Sequence, residues 1–291
     1  MVPTEGSGVK NPAAISWQDK AGRTWSDLYL ETDRQLEPLG TIALERLAPR
    51  PGERVLDVGC GCGQTLLQLA RAVGPAGRVL GVDVSEEMLG RARARVAETA
   101  PAAEVAIVCA DAASHRFPDG AFDAIYSRFG VMFFDDPPAA FAHLRAALVP
   151  DGRLAFVSWQ AQEHNPWSLV PLRAVQAALP DDPALPMLAP GAPGPFSLAD
   201  AEQLRALLAG AGFRDVVAEP VKVEIRVAAT IGEAVAYLRQ IGPAARQLAE
   251  VPPERRPVGE QAIARAIAPY ASERGVIMQG AILIVTAARK G

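Results

Sequence analysis

The sequence predicts an α/β protein built on a doubly wound, mostly parallel sheet with helices on both faces. From residue 53 onward, short apolar segments alternate with amphipathic helical segments, which is typical of repeated strand–helix units. The apolar segments are nearly continuous, as expected for parallel strands that are covered on both sides. Crossovers between parallel strands are right-handed, and this rule distributes the helices over both faces of the sheet.

The first five strands are predicted before residue 160. They are expected at 54–58, 78–84, 103–109, 122–127 and 153–159. Helices are predicted between them, where apolar residues recur at helical spacing. These helices are expected at 64–73, 85–97 and 137–148, and a turn is expected at 150–152. Ser85 stands at a helix N-cap position, and the acids Glu86 and Glu87 suit the first turn of that helix.

The second half of the chain is predicted to add helices and two strands. Ser197 with Asp200, and Thr230 with Glu233, each resemble a capping box at the start of a helix. These two helices are expected to run to residues 212 and 241, and a third is expected at 257–268. Strands are expected at 215–227 and 279–288, as an antiparallel pair at the end of the sheet.

The chain is predicted to divide into an N-terminal helical cover and one large domain. The cover comprises residues 1–48 and the domain residues 49–291. Within the domain, segment 160–196 contains six prolines between residues 180 and 195, which preclude regular structure there. Segment 229–275 is predicted to be a helical insertion before the last strand.

Composition excludes several classes of protein. The 291 residues carry a net charge of −4 and no long basic run, so a nucleic-acid partner is not expected. Three cysteines do not make a disulfide framework, and Cys60-Gly61-Cys62 lacks the spacing of metal ligands. The N-terminus lacks the apolar core of a signal peptide, and the longest apolar run is too short to cross a bilayer. We therefore expect a cytoplasmic protein without a metal or membrane partner, with a homodimer left open.

A glycine-rich turn follows the first predicted strand. Residues 55–63 are Val-Leu-Asp-Val-Gly-Cys-Gly-Cys-Gly, and a helix is predicted to begin directly after them. Gly59, Gly61 and Gly63 permit a sharp turn that presents backbone N–H groups at a helix N-terminus. A dinucleotide site is the competing interpretation, but its fingerprint needs a glycine where Gln64 stands.

Three acids lie at the predicted carboxyl ends of successive strands. Asp57 precedes the glycine turn, Asp83 ends the second strand, and Asp111 follows the third. Open α/β sheets bind their ligands at this edge. There Asp57 suits an amino group, Asp83 can accept both hydroxyls of a ribose, and Asp111 can accept an adenine amino group. The pattern indicates a site for an adenosyl amino acid.

The chain resembles the class I S-adenosylmethionine-dependent methyltransferases, and in particular the ubiquinone/menaquinone-biosynthesis type. Five blocks carry the resemblance, in this order: VLDVGCGCG (55–63), GVDVS (81–85), CADA (109–112), FDAIYSRFG (122–130) and LVPDGRLAFVSW (148–159). The resemblance implies S-adenosylmethionine as cofactor, S-adenosylhomocysteine as product, and seven strands with an antiparallel strand next to the fifth. It also suggests that the N-terminal helices, segment 160–196 and insertion 229–275 form a substrate cover.

The resemblance implies roles for eleven residues of the cofactor site. By this comparison the methionine moiety would lie by Asp57, Gly59, Ser127 and Arg128, and the glycine turn would add Gly61 and Gly63. Asp83 would hold the ribose. The adenine would lie by Val84, Met88, Asp111 and Ala112. Alternatives stay open for single residues. Met88 also suits a core position, and Asp111 also suits a turn.

The acceptor side is less defined by the sequence. His164 lies five residues beyond the fifth strand, so it is a candidate general base, with an ordinary loop histidine as the alternative. Eight aromatic residues are candidates for an acceptor pocket or for ordinary packing: Trp17, Trp25, Tyr29, Phe129, Phe133, Phe134, Trp159 and Trp167. Residues 127–130 are Ser-Arg-Phe-Gly, unlike the Asn-Pro-Pro-Tyr motif associated with methylation of nucleobase amino groups.

The predicted function is therefore S-adenosylmethionine-dependent methyl transfer to a small apolar or aromatic metabolite, at an oxygen or carbon atom. A small-molecule acceptor is the expected partner. Two alternatives remain: a sensor or scaffold that binds S-adenosylmethionine without transferring its methyl group, and a nicotinamide-dependent oxidoreductase.

Overall fold

The computed structural model describes residues 17–187, 191 and 193–291. All of its strands belong to one sheet. They are β1 (Arg54–Val58), β2 (Arg78–Asp83), β3 (Glu104–Cys109), β4 (Phe122–Arg128), β5 (Leu148–Trp159), β6 (Phe213–Ala228), β7 (Ala271–Ser272) and β8 (Gly275–Arg289). The seven long strands have the order β3-β2-β1-β4-β5-β8-β6. Strands β1 to β5 are parallel, and β8 is antiparallel to both β5 and β6.

The predicted fold class is confirmed, and the sheet has one small addition. The two-residue strand β7 pairs with the start of β8, which makes eight strands in all. The strand order reverses between β1 and β4. In open sheets this reversal creates the ligand crevice at the carboxyl ends of the strands.

Ten α-helices are described around the sheet. They are α1 (Lys20–Asp27), α2 (Tyr29–Leu47), α3 (Gln64–Val73), α4 (Glu86–Thr99), α5 (Pro137–Ala147), α6 (Pro166–Ala178), α7 (Ala201–Gly210), α8 (Ile231–Leu238), α9 (Pro243–Ala249) and α10 (Arg256–Ile267). Among the described helices, none has the length and apolar character that a membrane span needs.

Two helices were missed and one cap was predicted wrongly. Helix α6 lies inside segment 160–196, since Pro166 at its first position removes no intrahelical hydrogen bond. The short helix α9 lies beyond Ile241, where the sequence predicted no helix. Asp200 caps α7 by accepting from the N–H groups of its second and third residues, whereas Ser197 donates to the carbonyl of Met132.

Two other local predictions have different outcomes. Thr230 caps α8 as predicted, with its hydroxyl accepting the N–H of Glu233 at 3.2 Å. The predicted turn at 150–152 instead lies within β5, where the ladder with β4 changes register and Asp151 has φ of +60°. The turn residues therefore form an irregularity in the strand, and Leu148 and Arg153 on either side of it both pair with β4.

Helix α2 lies across β4, β5, β6 and β8. One face of this helix is buried along most of its length. Its buried apolar residues recur at helical spacing: Leu36, Leu39, Ala43 and Leu47. Its last carbonyl, that of Leu47, accepts from Arg153 Nε, while its first turns lie at the carboxyl ends of the strands. Helix α2 is thus part of the main core.

Asp33 ties the first turns of α2 to two other elements. Its carboxylate accepts from Arg128 at the end of β4 (3.1 Å) and from Arg95 of α4 (2.7 Å). Only 9% of the Asp33 side chain, 12% of Arg128 and 20% of Arg95 are exposed, so water screens these pairs weakly. Arg95 therefore points into a largely buried ion-pair cluster, although it lies on a helix whose Arg91 and Arg93 are exposed.

We predict that Asp33→Ala lowers the free energy of unfolding by about 2–3 kcal/mol, because two largely buried guanidinium groups lose their carboxylate. Urea denaturation followed by circular dichroism measures this change. Glu219→Ala is the matched control. It removes the exposed pair with Arg46 and is expected to change stability by less than about 1 kcal/mol. Equal effects of the two substitutions would contradict the role of Asp33.

Candidate cofactor site at the carboxyl edge of the sheet

The three glycines of the turn after β1 all have positive φ, but they serve different purposes. Gly59 has φ of +72°, Gly61 +52° and Gly63 +85°. A Cβ at Gly59 would lie 2.8 Å from the Cα of Gly130, and one at Gly63 would lie 2.9 Å from the Cβ of Ala92. These two glycines are needed for close packing. At Gly61 the nearest atom to a Cβ, in Met88, is 3.9 Å away, so the backbone there can face a ligand.

Asp83 joins this turn to the loop after β2. One carboxylate oxygen accepts the N–H of Gly61 and the other accepts the N–H of Ser85, each at 2.9 Å. The residue is 8% exposed, and burial raises the pKa of its carboxyl group. Each oxygen keeps a lone pair, so the carboxylate can hold the two loops and still accept from ligand hydroxyls.

Asp57 is fully buried below the glycine turn. The Thr65 hydroxyl donates to Oδ2 at 2.5 Å, and Oδ1 has no hydrogen-bond partner. Desolvation raises the pKa of Asp57 to about 7, although Thr65 and the charge of Arg128 act in the opposite direction. A buried acceptor without a partner is unfavourable by about 1–3 kcal/mol, so a cationic donor reaching Oδ1 would be bound favourably. The ammonium group of an amino acid is such a donor.

The residues predicted at the adenine lie along the same edge, but they differ in burial. Met88 is buried with its sulfur towards Gly61, and Val84 is half-buried. Ala112 is buried, but Asp111 is exposed and accepts from the N–H of Ala113 and the hydroxyl of Ser114. Asp111 therefore caps its own turn, as the alternative interpretation held, and its contact with adenine stays a prediction.

The end of β4 is occupied by internal contacts. The buried Ser127 hydroxyl donates to the carbonyl of Val58 and accepts from the N–H groups of Gly130 and Val131, so it holds the β1 and β4 loops together. Arg128 donates to the side chains of Gln64 and Asp33. Both residues lie where the sequence placed them, but they support the loops, and direct contact with the methionine group stays a prediction.

His164 is exposed in a single 3-10 turn after β5. Gln162 and Asn165 beside it are buried, whereas Glu163 is exposed. Asn165 accepts the indole N–H of Trp167 and the N–H of Ala281, while Gln162 keeps an unpartnered Oε1. The structure therefore places the predicted base at the correct edge but not inside the protein, and its catalytic role stays a prediction.

The aromatic candidates form two groups and some ordinary packing. Trp17 contacts Trp25 and Phe133, with ring centroids 5.3 and 4.9 Å away. Phe129 stacks on Trp159 at 4.4 Å and 16°, and Trp159 contacts Trp167. Two candidates lie elsewhere: Phe134 packs on Phe141, and Tyr29 packs below Arg91 and Arg95.

Helix α1 lies directly over the cofactor edge. A Cβ at Gly22 would lie 2.2 Å from Ser85 Oγ, and Cys62 of the glycine turn contacts the carbonyl of Trp25. The sequence analysis missed buried polar residues on the next helix, Thr32, Asp33 and Gln35. A signal for one of them was present, because Thr32 falls at helical spacing from Leu36 and Leu39 on the apolar face.

We predict that the stability of the ligand-free protein falls as pH rises towards 7, because the folded state must ionise a buried Asp57. In the unfolded chain this carboxyl group is ionised above about pH 4, so the folded state binds one more proton between pH 4 and 7. Between pH 5 and 8 wild type should lose about 2–3 kcal/mol relative to Asp57→Asn. Urea denaturation at several pH values measures the difference. Parallel curves for the two proteins would refute this prediction.

Known methyltransferases are similar to this chain in sequence. Residues 55–152 match the methyltransferase domain family. Nocamycin O-methyltransferase of Saccharothrix syringae is 36% identical over 192 residues, covering 62% of this chain and 65% of that protein. A ubiquinone/menaquinone biosynthesis C-methyltransferase of Cellvibrio japonicus is 34% identical over 124 residues, covering 43% of this chain and 49% of that protein. The chain thus spans less than two thirds of the length of these relatives.

A solved structure extends the likeness to nearly the whole chain. Phosphoethanolamine N-methyltransferase 2 of Haemonchus contortus, in complex with S-adenosylhomocysteine, aligns with a TM-score of 0.59 and 19% identity. The alignment covers 97% of this chain and 62% of that one. At this identity the likeness concerns the fold. Residues 55–152 therefore match the methyltransferase domain family, and the chain has the Rossmann-like fold of the methyltransferase structures that it resembles.

Proposed function

We propose that this protein transfers the methyl group of S-adenosylmethionine to a small apolar or aromatic acceptor, at an oxygen or carbon atom. The observation that carries the proposal is the unpartnered Asp57 Oδ1, buried near the end of β1 just before the glycine turn that Asp83 holds. When bound, S-adenosylmethionine supplies a methyl group already activated on a sulfonium.

The residues at successive strand ends suit successive parts of that cofactor, from the amino acid to the adenine. Asp57 would accept from its ammonium group, and Asp83 would accept from the ribose hydroxyls while holding Gly61 in place. Met88 and Val84 would flank the adenine. The donors and acceptors are largely in place before binding, which reduces the conformational entropy lost on association.

The acceptor would lie beyond the ends of β4 and β5. Phe129 and Trp159 present an aromatic stack there, and Trp167 extends it. The N-terminal helices and insertion 229–275, called here the two covers, meet through Gln35 and Tyr237, so they can exclude water from the transfer. The main contribution expected from the protein is to align the acceptor atom with the methyl group, since positioning alone can supply a large part of the rate enhancement.

The choice between oxygen and carbon rests on the relatives and on proton transfer. One relative is named an O-methyltransferase and another a C-methyltransferase. Either acceptor must lose a proton, and His164 is the proposed base. The cytoplasmic location, the homodimer, the absence of a nucleic-acid partner and the substrate cover also stay predictions.

We predict that Asp83→Asn lowers affinity for S-adenosylhomocysteine about 10- to 100-fold, because hydrogen bonds to a charged carboxylate contribute about 1.5–3 kcal/mol. Isothermal titration calorimetry measures the dissociation constant of S-adenosylhomocysteine for each variant. Glu86→Gln is the control, since Glu86 lies three residues away but is exposed. The proposed function fails if wild type does not bind S-adenosylhomocysteine, or if NAD binds more tightly in a parallel titration.

We predict that His164→Gln lowers kcat at least about 100-fold with little change in KM, as expected for loss of a general base. The assay follows S-adenosylhomocysteine release with a panel of phenols, enols and hydroquinones. His143→Gln is the control, because His143 lies on α5, outside the turn after β5, and its ring contacts the carbonyl of His115. Full activity in His164→Gln would assign proton removal to another group or to solvent.

A further inference from the structure

Buried polar atoms without hydrogen-bond partners concentrate at the carboxyl edge of the sheet. Eight such side-chain atoms occur in the described part of the chain. The five that lie at this edge are Trp17 Nε1, Thr32 Oγ1, Gln35 Nε2, Asp57 Oδ1 and Gln162 Oε1. Folded proteins leave few polar atoms in this state, because each is unfavourable by about 1–3 kcal/mol. Asp57 belongs to the proposed cofactor site, and Thr32 lies against Tyr237, whose pKa its side chain lowers. Trp17, Gln35 and Gln162 are explained by neither.

Gln35 is the member of this group whose amide already has one side-chain hydrogen bond. The Tyr237 hydroxyl donates to Gln35 Oε1 at 2.7 Å, and the two residues are only 5% and 6% exposed. Since Oε1 is occupied by Tyr237, the amide presents its Nε2 hydrogens on the other side. Burial raises the pKa of Tyr237, so its hydroxyl stays protonated and keeps donating.

The Gln35–Tyr237 pair connects the two covers above the acceptor side. Val221 of β6 and Trp159 at the end of β5 both pair with Ile282 of β8, so they lie at the same level in the sheet. Strand β6 continues for seven residues beyond this level. It then leads into α8, which carries Tyr237. Helix α8 therefore stands above the ends of the parallel strands. On α2, Asp33 contacts Arg128 at the end of β4, so Gln35 lies one half-turn further along the same helix.

We propose that Gln35 Nε2 donates a hydrogen bond to an oxygen atom of the acceptor, with Tyr237 as the positioning residue that orients the amide. The substrate class that follows is a planar apolar molecule carrying a carbonyl or similar accepting oxygen beside the atom that is methylated. This inference rests on the proposed function, since it names the substrate class of the same site.

The test compares two probes that differ by one oxygen atom. Binding of 1-tetralone and of tetralin is measured by calorimetry on the full chain, with and without saturating S-adenosylhomocysteine. Wild type is expected to bind the ketone about tenfold more tightly than the hydrocarbon, as for one buried hydrogen bond. Gln35→Met, which is similar in volume and has no donor, should abolish this preference. Tyr237→Phe should reduce it.

Tyr126→Phe is the matched control. Tyr126 is also fully buried, and its hydroxyl also donates to α2, to the carbonyl of Gly40 at 2.8 Å, but no unpartnered group depends on it. This variant should keep the tenfold preference. Because general loosening of the covers would weaken both probes alike, the ratio of the two affinities separates recognition from structural damage.

Three results would overturn the inference: no preference for the ketone in wild type, an unchanged preference in Gln35→Met, or equal losses in Tyr126→Phe and Tyr237→Phe. Absence of ketone binding to wild type counts as no preference. The proposed function is judged separately, by the S-adenosylhomocysteine titration. If that titration fails while the ketone preference is present and sensitive to Gln35, the polar site exists without the methyl transfer.

Discussion

The geometry of the cofactor edge depends on the two hydrogen bonds that the Asp83 carboxylate accepts. One comes from the glycine turn after β1 and the other from the loop after β2. Parallel strands bring their carboxyl ends to one edge, but they do not by themselves fix the loops that follow. A single buried carboxylate couples these two loops, and so sets the distance between the open backbone of Gly61 and the start of α4.

A second constraint opposes the first, because the same region buries more negative charge than its own partners balance. Burial raises the pKa of both Asp57 and Asp83, and the charge of Asp83 adds to the shift at Asp57. Asp57 also keeps one oxygen without a donor. Arg128 offsets part of this charge, but its guanidinium is shared with Asp33 of α2. The folded state thus retains a local electrostatic cost that a cationic ligand group would relieve, which is characteristic of binding sites formed before the ligand arrives.

The N-terminal helices link the cofactor side to the acceptor side. Asp33 connects α2 to β4 and α4, α1 lies over Ser85, and Gln35 reaches Tyr237 in the insertion. A change in any of these contacts would displace side chains at both the cofactor side and the acceptor side, because a closely packed interior transmits displacements. This is why the acceptor specificity of the protein is proposed to reside in the covers, whereas the strand ends serve the cofactor.

The sequence by itself determined the sheet and the cofactor edge, because both depend on local patterns. Apolar runs and helical spacing predicted β1 and α3 with their observed bounds, and the glycine turn with Asp57 and Asp83 indicated the adenosyl site. Glycine conformations and strand-end acids are properties of a few adjacent residues, so their spacing along the chain is sufficient to recognise them.

Only the tertiary structure decided which side chains are paired and which are not. Ser127 and Arg128 were placed at the correct edge, but their hydrogen-bond partners come from β1, α2 and α3, which no local pattern reveals. The pair of Gln35 and Tyr237 joins residues 202 positions apart. Burial and unmet hydrogen bonds arise from contacts between distant segments, and so they become visible only once the chain has folded.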